Sequence, residues 1–212
     1  MPTEPTRHRA VVLLGPTGAG KSPLGDRIED RGLWGARCLH FDFGANLREV
    51  VARDSPDALI AREDIEFLRE VLRTGALLED EQFALAARIL RSLLVRRAAA
   101  SDTVVVLNGL PRHVGQARDL QTIVEVRLVV HLACSAEDVL RRIESDVGGD
   151  RAGRIDDDLE AVRRKLALFD ERTAPLLEHY RARRTPIETI EVGAATTPGD
   201  AWQELEGRRA DW

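Results

Sequence analysis

Ala10-Val11-Val12-Leu13-Leu14-Gly15-Pro16-Thr17-Gly18-Ala19-Gly20-Lys21-Ser22 decides how this chain is read. Five apolar residues lead into a glycine-rich turn, and an amphipathic run from Leu24 to Asp30 follows it. Strand, glycine turn and helix in that order are the setting a phosphate-binding loop requires. Glycines at 15, 18 and 20 let successive backbone N–H groups converge on one concavity, because no Cβ obstructs the turn. The following helix points its positive end at the same place, so phosphate oxygens are held twice over. Lys21 is placed to reach the terminal phosphates, and the Ser22 hydroxyl to sit on Mg²⁺ or its waters. The competing reading is an ordinary glycine-rich β–α turn with a surface lysine beside it. The flanking strand and helix patterns favour the loop.

The chain has 212 residues, the size of one α/β domain with appendages. At 43% hydrophobic and 32% charged residues it can bury a core and stay in solution. A formal net charge of −5 argues against a polyanion as the main partner, since nucleic-acid binders usually carry a basic face. Cys38 and Cys134 lie in apolar runs and read as reduced core residues, not as a bridge or metal site. Met1 to Arg9 is polar, unlike a signal peptide, and no apolar run has the length of a membrane span. The expectation is a cytoplasmic monomer with small-molecule partners, no nucleic acid and no membrane.

Further strands are expected at Ala36–Phe41, Thr103–Leu107, Val126–Leu132 and Pro186–Val192. The third of the five, β-branched and continuously apolar, suits a strand buried on both faces. Helices are expected at Asn46–Arg53, Arg62–Arg73 and Glu79–Ala99, the last with Phe83, Leu90 and Leu93 at helical spacing. Ser135 caps another, Pro198–Arg208 forms the last, and a long one from Asp157 to Tyr180 is expected to bend or break at Pro175. Ser145 to Ile155 is glycine-rich and charged, and reads as a loop. Strands alternating with helices imply a parallel, three-layer α/β sheet. His40 and His131, in or beside strands, read as structural, and Asp156-Asp157-Asp158 as helix-start acids.

From Ala10 to Tyr180 the motifs fall in the order found in the adenylate kinase group of nucleoside monophosphate kinases, which the chain resembles. The residues that carry the likeness are Gly18-Ala19-Gly20-Lys21, then His40 with Phe43, Gly44, Ala45 and Arg48, and then the turn Gly75-Ala76-Leu77-Leu78. After them come Asn108-Gly109-Leu110-Pro111-Arg112 with Gln116, then Gly153-Arg154-Ile155-Asp156-Asp157, and then Thr173-Ala174-Pro175 with Tyr180. The resemblance implies one P-loop domain with a core (10–43, 79–144 and 156–212), a helical monophosphate-binding insert at about 44–78 and a short lid at about 145–155.

It also implies roles. Gly15, Thr17, Gly18, Ala19, Gly20, Lys21, Ser22, Arg142 and Arg154 would hold the ATP phosphates. Phe43, Gly44, Arg48, Leu77, Gly109, Arg112 and Gln116 would receive the acceptor, with Arg48 and Arg112 on its phosphate and Gln116 on its base edge. Lys21, Arg112, Arg154 and Lys165 would serve the transfer itself, Lys165 standing where the family has an arginine. Such sites rely on arginine because its planar fork grips phosphate bidentately and stays charged.

The chain departs from the family at Phe43 and Ala45, which replace a threonine and an aspartate, at Pro23, which replaces a threonine, and at Asn108, which replaces an aspartate near the magnesium. An amide brings no negative charge to Mg²⁺. Asp42, expected on the strand beside the one ending in Asn108, is placed to compensate, so the expected metal site is Ser22, Asp42 and Asn108. The function implied is transfer of the terminal phosphoryl group of Mg-ATP to a nucleoside monophosphate. The alternatives are a P-loop kinase with a non-nucleotide acceptor and a non-catalytic ATP-binding sensor.

Overall fold

The computed structural model describes residues 7–74, 78–149 and 159–208. Leu77 and Arg154, and all but the first few residues of the expected lid, lie outside them.

Five strands form one parallel sheet: β1 (His8–Leu14), β2 (Cys38–Asp42), β3 (Val104–Asn108), β4 (Val124–Ala133) and β5 (Ile187–Glu191), in the spatial order β2-β3-β1-β4-β5. The helices are α1 (Lys21–Arg31), α2 (Phe43–Arg53), α3 (Arg62–Thr74), α4 (Phe83–Arg96), α5 (Val114–Leu120), α6 (Ala136–Ser145), α7 (Leu159–Leu168), α8 (Pro175–Ala182) and α9 (Pro198–Gly207).

Alternation along β1 builds the two layers of core. Ala10, Val12 and Leu14 face a cluster that includes Leu47, Leu68, Leu90, Leu120 and Tyr180. Val11 and Leu13 face Leu24 and Ile28 of α1 and Ala201 and Leu205 of α9 on the opposite side. A strand buried on both faces has no polar positions to spare, which is why β1 and β3 read as unbroken apolar runs. The expected three-layer parallel α/β architecture is present.

Register then positions the site. Leu13 and Asp42 both pair with Asn108, so β1, β3 and β2 end at nearly one level. The order runs outward from central β1 in both directions, and in such sheets ligands gather at the carboxyl ends near that reversal.

Four elements differ from expectation. The helix expected at Glu79–Ala99 is the shorter α4, Phe83–Arg96, preceded by a 3₁₀ turn at Asp80–Gln82. Helix α2 begins at Phe43, not Asn46, because the Asp42 carboxylate accepts the Ala45 N–H at 2.8 Å and caps the helix directly off the strand. Helix α5 is an addition to the expected elements. It is seven residues long, with a histidine ring as its cap, and so carries no periodic signal of useful length. The expected long helix is split: α7 gives way to a π turn, Phe169–Thr173, and α8 starts at Pro175. Proline has no N–H, and its ring crowds the carbonyl four residues back, so the wider turn accommodates it.

The two cysteines are free, Cys38 buried and Cys134 half-buried. Burial pushes the Cys38 thiol up to about 12, the behaviour of an inert core residue. No helix among the described residues is long and apolar enough to cross a membrane.

His40, two residues before Asp42, is wedged against α1. Its Nδ1 lies 2.8 Å from Asp26 Oδ1, and a Cβ built on Gly25 would stand 2.2 Å from its Nε2. Gly25→Ala is therefore expected to lower Tm, although alanine is favoured over glycine in a helix by about 1 kcal/mol. Removing the ring as well, in Gly25→Ala/His40→Ala, should recover part of the loss relative to His40→Ala alone. Thermal unfolding of the four proteins checks the sign of this coupling.

Candidate active site

The phosphate loop leaves β1 at Gly15 and enters α1 at Lys21, with Gly20 at the helix cap in the left-handed region at φ +92°. Gly15 needs its missing side chain for a different reason, since a Cβ there would lie 2.8 Å from the Leu132 carbonyl of β4. The loop borders a cleft of about 260 Å³. The cleft is walled by the loop itself, by Asp42, Gly44 and Arg48, by Asn108, Gly109 and Arg112, and by Lys165, Phe169 and Thr173. Residues from four separate stretches of the sequence thus meet at the carboxyl ends of the strands.

Lys21 folds back over the loop, its Nζ donating to the Gly15 and Pro16 carbonyls at 2.7 and 2.6 Å. Next to it, the Ser22 hydroxyl donates to Asp42 Oδ2 at 2.5 Å. The Asn108 amide donates to the same carboxylate oxygen at 2.8 Å and to Ser22 Oγ at 3.0 Å. Burial alone would raise the pKa of Asp42. Hydrogen bonds from Ser22 and the Ala45 N–H, with the charge of Arg48, more than offset it and hold the carboxyl below the ordinary 3.8. The corner is therefore anionic at neutral pH.

This donor set suits a magnesium ion. One carboxylate and a hydroxyl, both oxygen donors beside a phosphate loop, match an ion that keeps several waters and takes its other ligands from substrate phosphates. No group of three His, Cys, Asp or Glu side chains that could hold a metal converges among the described residues.

Arg112 is half-buried on the turn after β3, and burial presses its pKa below the usual guanidinium value, with Asp42 opposing. Its Nε donates to the Gly109 carbonyl at 3.2 Å. Arg48 borders the same cleft from α2, and Lys165 from α7.

Four expected contacts fall elsewhere. Ala19 is 2% exposed and packs in the core beneath the loop, its N–H donating to the Pro16 carbonyl at 3.3 Å. Phe43 is 4% exposed, packs against Phe41 with ring centroids 5.9 Å apart, and belongs to the core, not to the cleft wall. As the first residue of α2, directly after the cap, it turns inward. Gln116 is 1% exposed, and its amide is spent internally: Oε1 accepts the Arg112 N–H at 2.8 Å, and Nε2 donates to the Leu78 carbonyl at 2.7 Å. Arg142, 4% exposed, does not border the cleft. Its guanidinium donates to the carbonyls of Gly18, Gly193 and Thr196 at 3.0, 2.8 and 2.6 Å and braces the phosphate loop against the loop after β5. A guanidinium donates to backbone carbonyls and to phosphate oxygens alike, and spacing alone cannot distinguish the two partners. Thr173 is the residue whose contact with Arg112 the sequence did not suggest: it borders the cleft and donates to the Arg112 carbonyl at 2.9 Å.

A glycine loop feeding a helix N-terminus, set at the carboxyl ends of a parallel sheet and faced by several cations, defines a phosphate-loop α/β protein of the nucleotide-kinase type. No protein-family model matches the chain. An adenylate kinase of Xanthomonas campestris pv. campestris (strain 8004) is 32% identical over 191 residues, 87% of this chain and 91% of the relative. One of Xanthomonas oryzae pv. oryzae (strain MAFF 311018) matches to the same extent. An adenylate kinase of Encephalitozoon cuniculi is 26% identical over 199 residues, 94% of this chain and 97% of the relative. The chain belongs to the adenylate kinase family.

The depressed pKa of Asp42 has a consequence for stability. Its contribution is fully present above the unfolded value and is lost as pH falls through the lower folded value. The Tm difference between the native chain and Asp42→Asn, open at neutral pH, is expected to narrow below about pH 4. A gap that stays constant down to pH 2.5 in thermal melts would show that the carboxylate gains nothing from its partners.

Proposed function

We propose that the chain moves the terminal phosphoryl group of Mg-ATP onto a nucleoside monophosphate. The observation that carries this reading is the meeting of Lys21, Arg48, Arg112 and Lys165 around one cleft beside the phosphate loop and the Ser22–Asp42–Asn108 corner. A site with four cations and no catalytic histidine is suited to phosphoryl transfer, which asks little covalent work of a protein. It requires two anionic groups held in line, their repulsion neutralised, and water kept out.

In this reading the loop N–H groups and the α1 N-terminus cradle the donor phosphates. Lys21 leaves the Gly15 and Pro16 carbonyls to pair with the transferred group. Arg48 and Arg112 hold the acceptor phosphate, and its oxygen, already ionised at neutral pH, attacks without a general base. Lys165, with Arg154 carried over from the family resemblance, offsets charge on the donor side. Ser22, Asp42 and Asn108 would hold Mg²⁺ through oxygen atoms or bridging waters. The ion when bound supplies charge neutralisation between the phosphates. The helical insert at about 44–78 and the lid at about 145–155 are assigned to acceptor binding and closure on the same basis.

One observation favours a second reading. Gln116, the group the resemblance sets against the acceptor base, is already committed to Arg112 and Leu78. A phosphorylated acceptor without a nucleobase would need no such contact.

NDP production from Mg-ATP with AMP, CMP, UMP, GMP and dTMP separates the readings. Turnover with one monophosphate is expected, reduced about 10²-fold or more in Lys21→Ala. Silence across the panel with ATP binding intact would move the assignment to a non-nucleotide acceptor or to a sensor. In the active assay, Asp42→Asn is expected to raise the Mg²⁺ concentration for half-maximal rate by about tenfold, since the single carboxylate of the corner becomes neutral. An unchanged magnesium curve would remove Asp42 from the metal site.

A further inference from the structure

Arg112 stands on a turn, and a guanidinium on a turn is only as well placed as the peptide that carries it. That peptide is held from both sides. Its N–H donates to Gln116 on α5, and its carbonyl accepts the Thr173 hydroxyl, which comes from the far side of the cleft, 61 residues on.

Thr173 is delivered by the π turn. The Ala174 N–H donates to the Phe169 carbonyl, five residues back, at 2.8 Å. The widened turn slows the rotation of the chain, so Lys165, Phe169 and Thr173 all reach the cleft although they span nine positions. π turns inside helices concentrate at functional sites. The same turn is tied down by Arg172, whose guanidinium meets Glu79 at 2.7 Å, one residue past the Leu78 carbonyl that Gln116 binds. The π turn, the Leu78–Glu79 segment and the Arg112 turn thus form one strap.

We propose that Thr173 is a positioning residue for phosphoryl transfer: by fixing the Arg112 peptide it keeps the acceptor-side Arg112 in register with Lys165, which rides on the helix leading into the same π turn. The chemistry served rests on the reading above, whereas the mechanical link does not. In a purely structural role the hydroxyl would do no more than satisfy a carbonyl that water could satisfy as well.

Thr173→Val keeps the shape and removes the donor, and Thr173→Ser keeps the donor. With the monophosphate that turns over, Thr173→Val is expected to lower kcat about tenfold with little change in the KM for ATP, and Thr173→Ser to restore it to within about threefold. A folded Thr173→Val enzyme with native kcat, or a serine variant no better than valine, would overturn the proposal.

A second measurement needs no turnover. In ¹H–¹⁵N spectra of the full chain, the Arg112 Nε–H signal, assigned by its loss in Arg112→Lys, is expected to be sharp in the native protein and the serine variant and broadened in Thr173→Val. An identical signal in Thr173→Val would also overturn the proposal. If no monophosphate reacts, this spectrum decides the positioning role alone, and the functional reading fails separately.

Discussion

Ser22 and Asn108 both donate to one oxygen of Asp42, and the rest of the site depends on that shared acceptor. Ser22 lies in the first turn of the helix after β1, Asn108 ends β3, and Asp42 ends β2, so these bonds and the one from Asn108 to Ser22 lock the carboxyl ends of three strands at one level. The other oxygen of Asp42 caps α2, which carries Arg48 to the cleft. A single ionised carboxylate thus holds the phosphate loop, the end of β3 and the helix that carries Arg48 in one arrangement. It tolerates burial because Ser22, Asn108 and the Ala45 N–H all donate to it, the condition under which a buried charge is retained.

The same economy governs the arginines. Arg142 and Arg112 both lie near the loop, but one satisfies backbone carbonyls and braces the scaffold, while the other is held by backbone and side-chain contacts with its head toward the cleft. The residue type is the same, and the surroundings assign the work. Gln116 and Thr173 act through the Arg112 peptide, which makes a turn behave like a rigid element and lets a long side chain serve as a fixed charge.

Asn108 at the end of β3 brings no charge of its own, and a carboxylate stands one strand away. The parallel register makes the two positions neighbours, since Asp42 pairs with Asn108. Charge at this corner is therefore a property of the sheet end and not of β3 alone.

By itself the sequence determined the phosphate loop, the five strands and the parallel sheet, because these rest on local rules: glycine where backbones must converge, and unbroken apolar runs where both faces are buried. It also singled out Lys21, Ser22, Asp42, Asn108, Arg48, Arg112 and Lys165, which the fold brings to one cleft. Only the tertiary structure decided that Phe43 turns into the core, that Gln116 and Arg142 spend their polar groups on the protein itself, and that Thr173 reaches across to Arg112. The physical reason is common to all four. The partner of a buried polar or aromatic side chain is chosen by what lies within a few ångströms in space, and those neighbours are as many as 124 residues away along the chain.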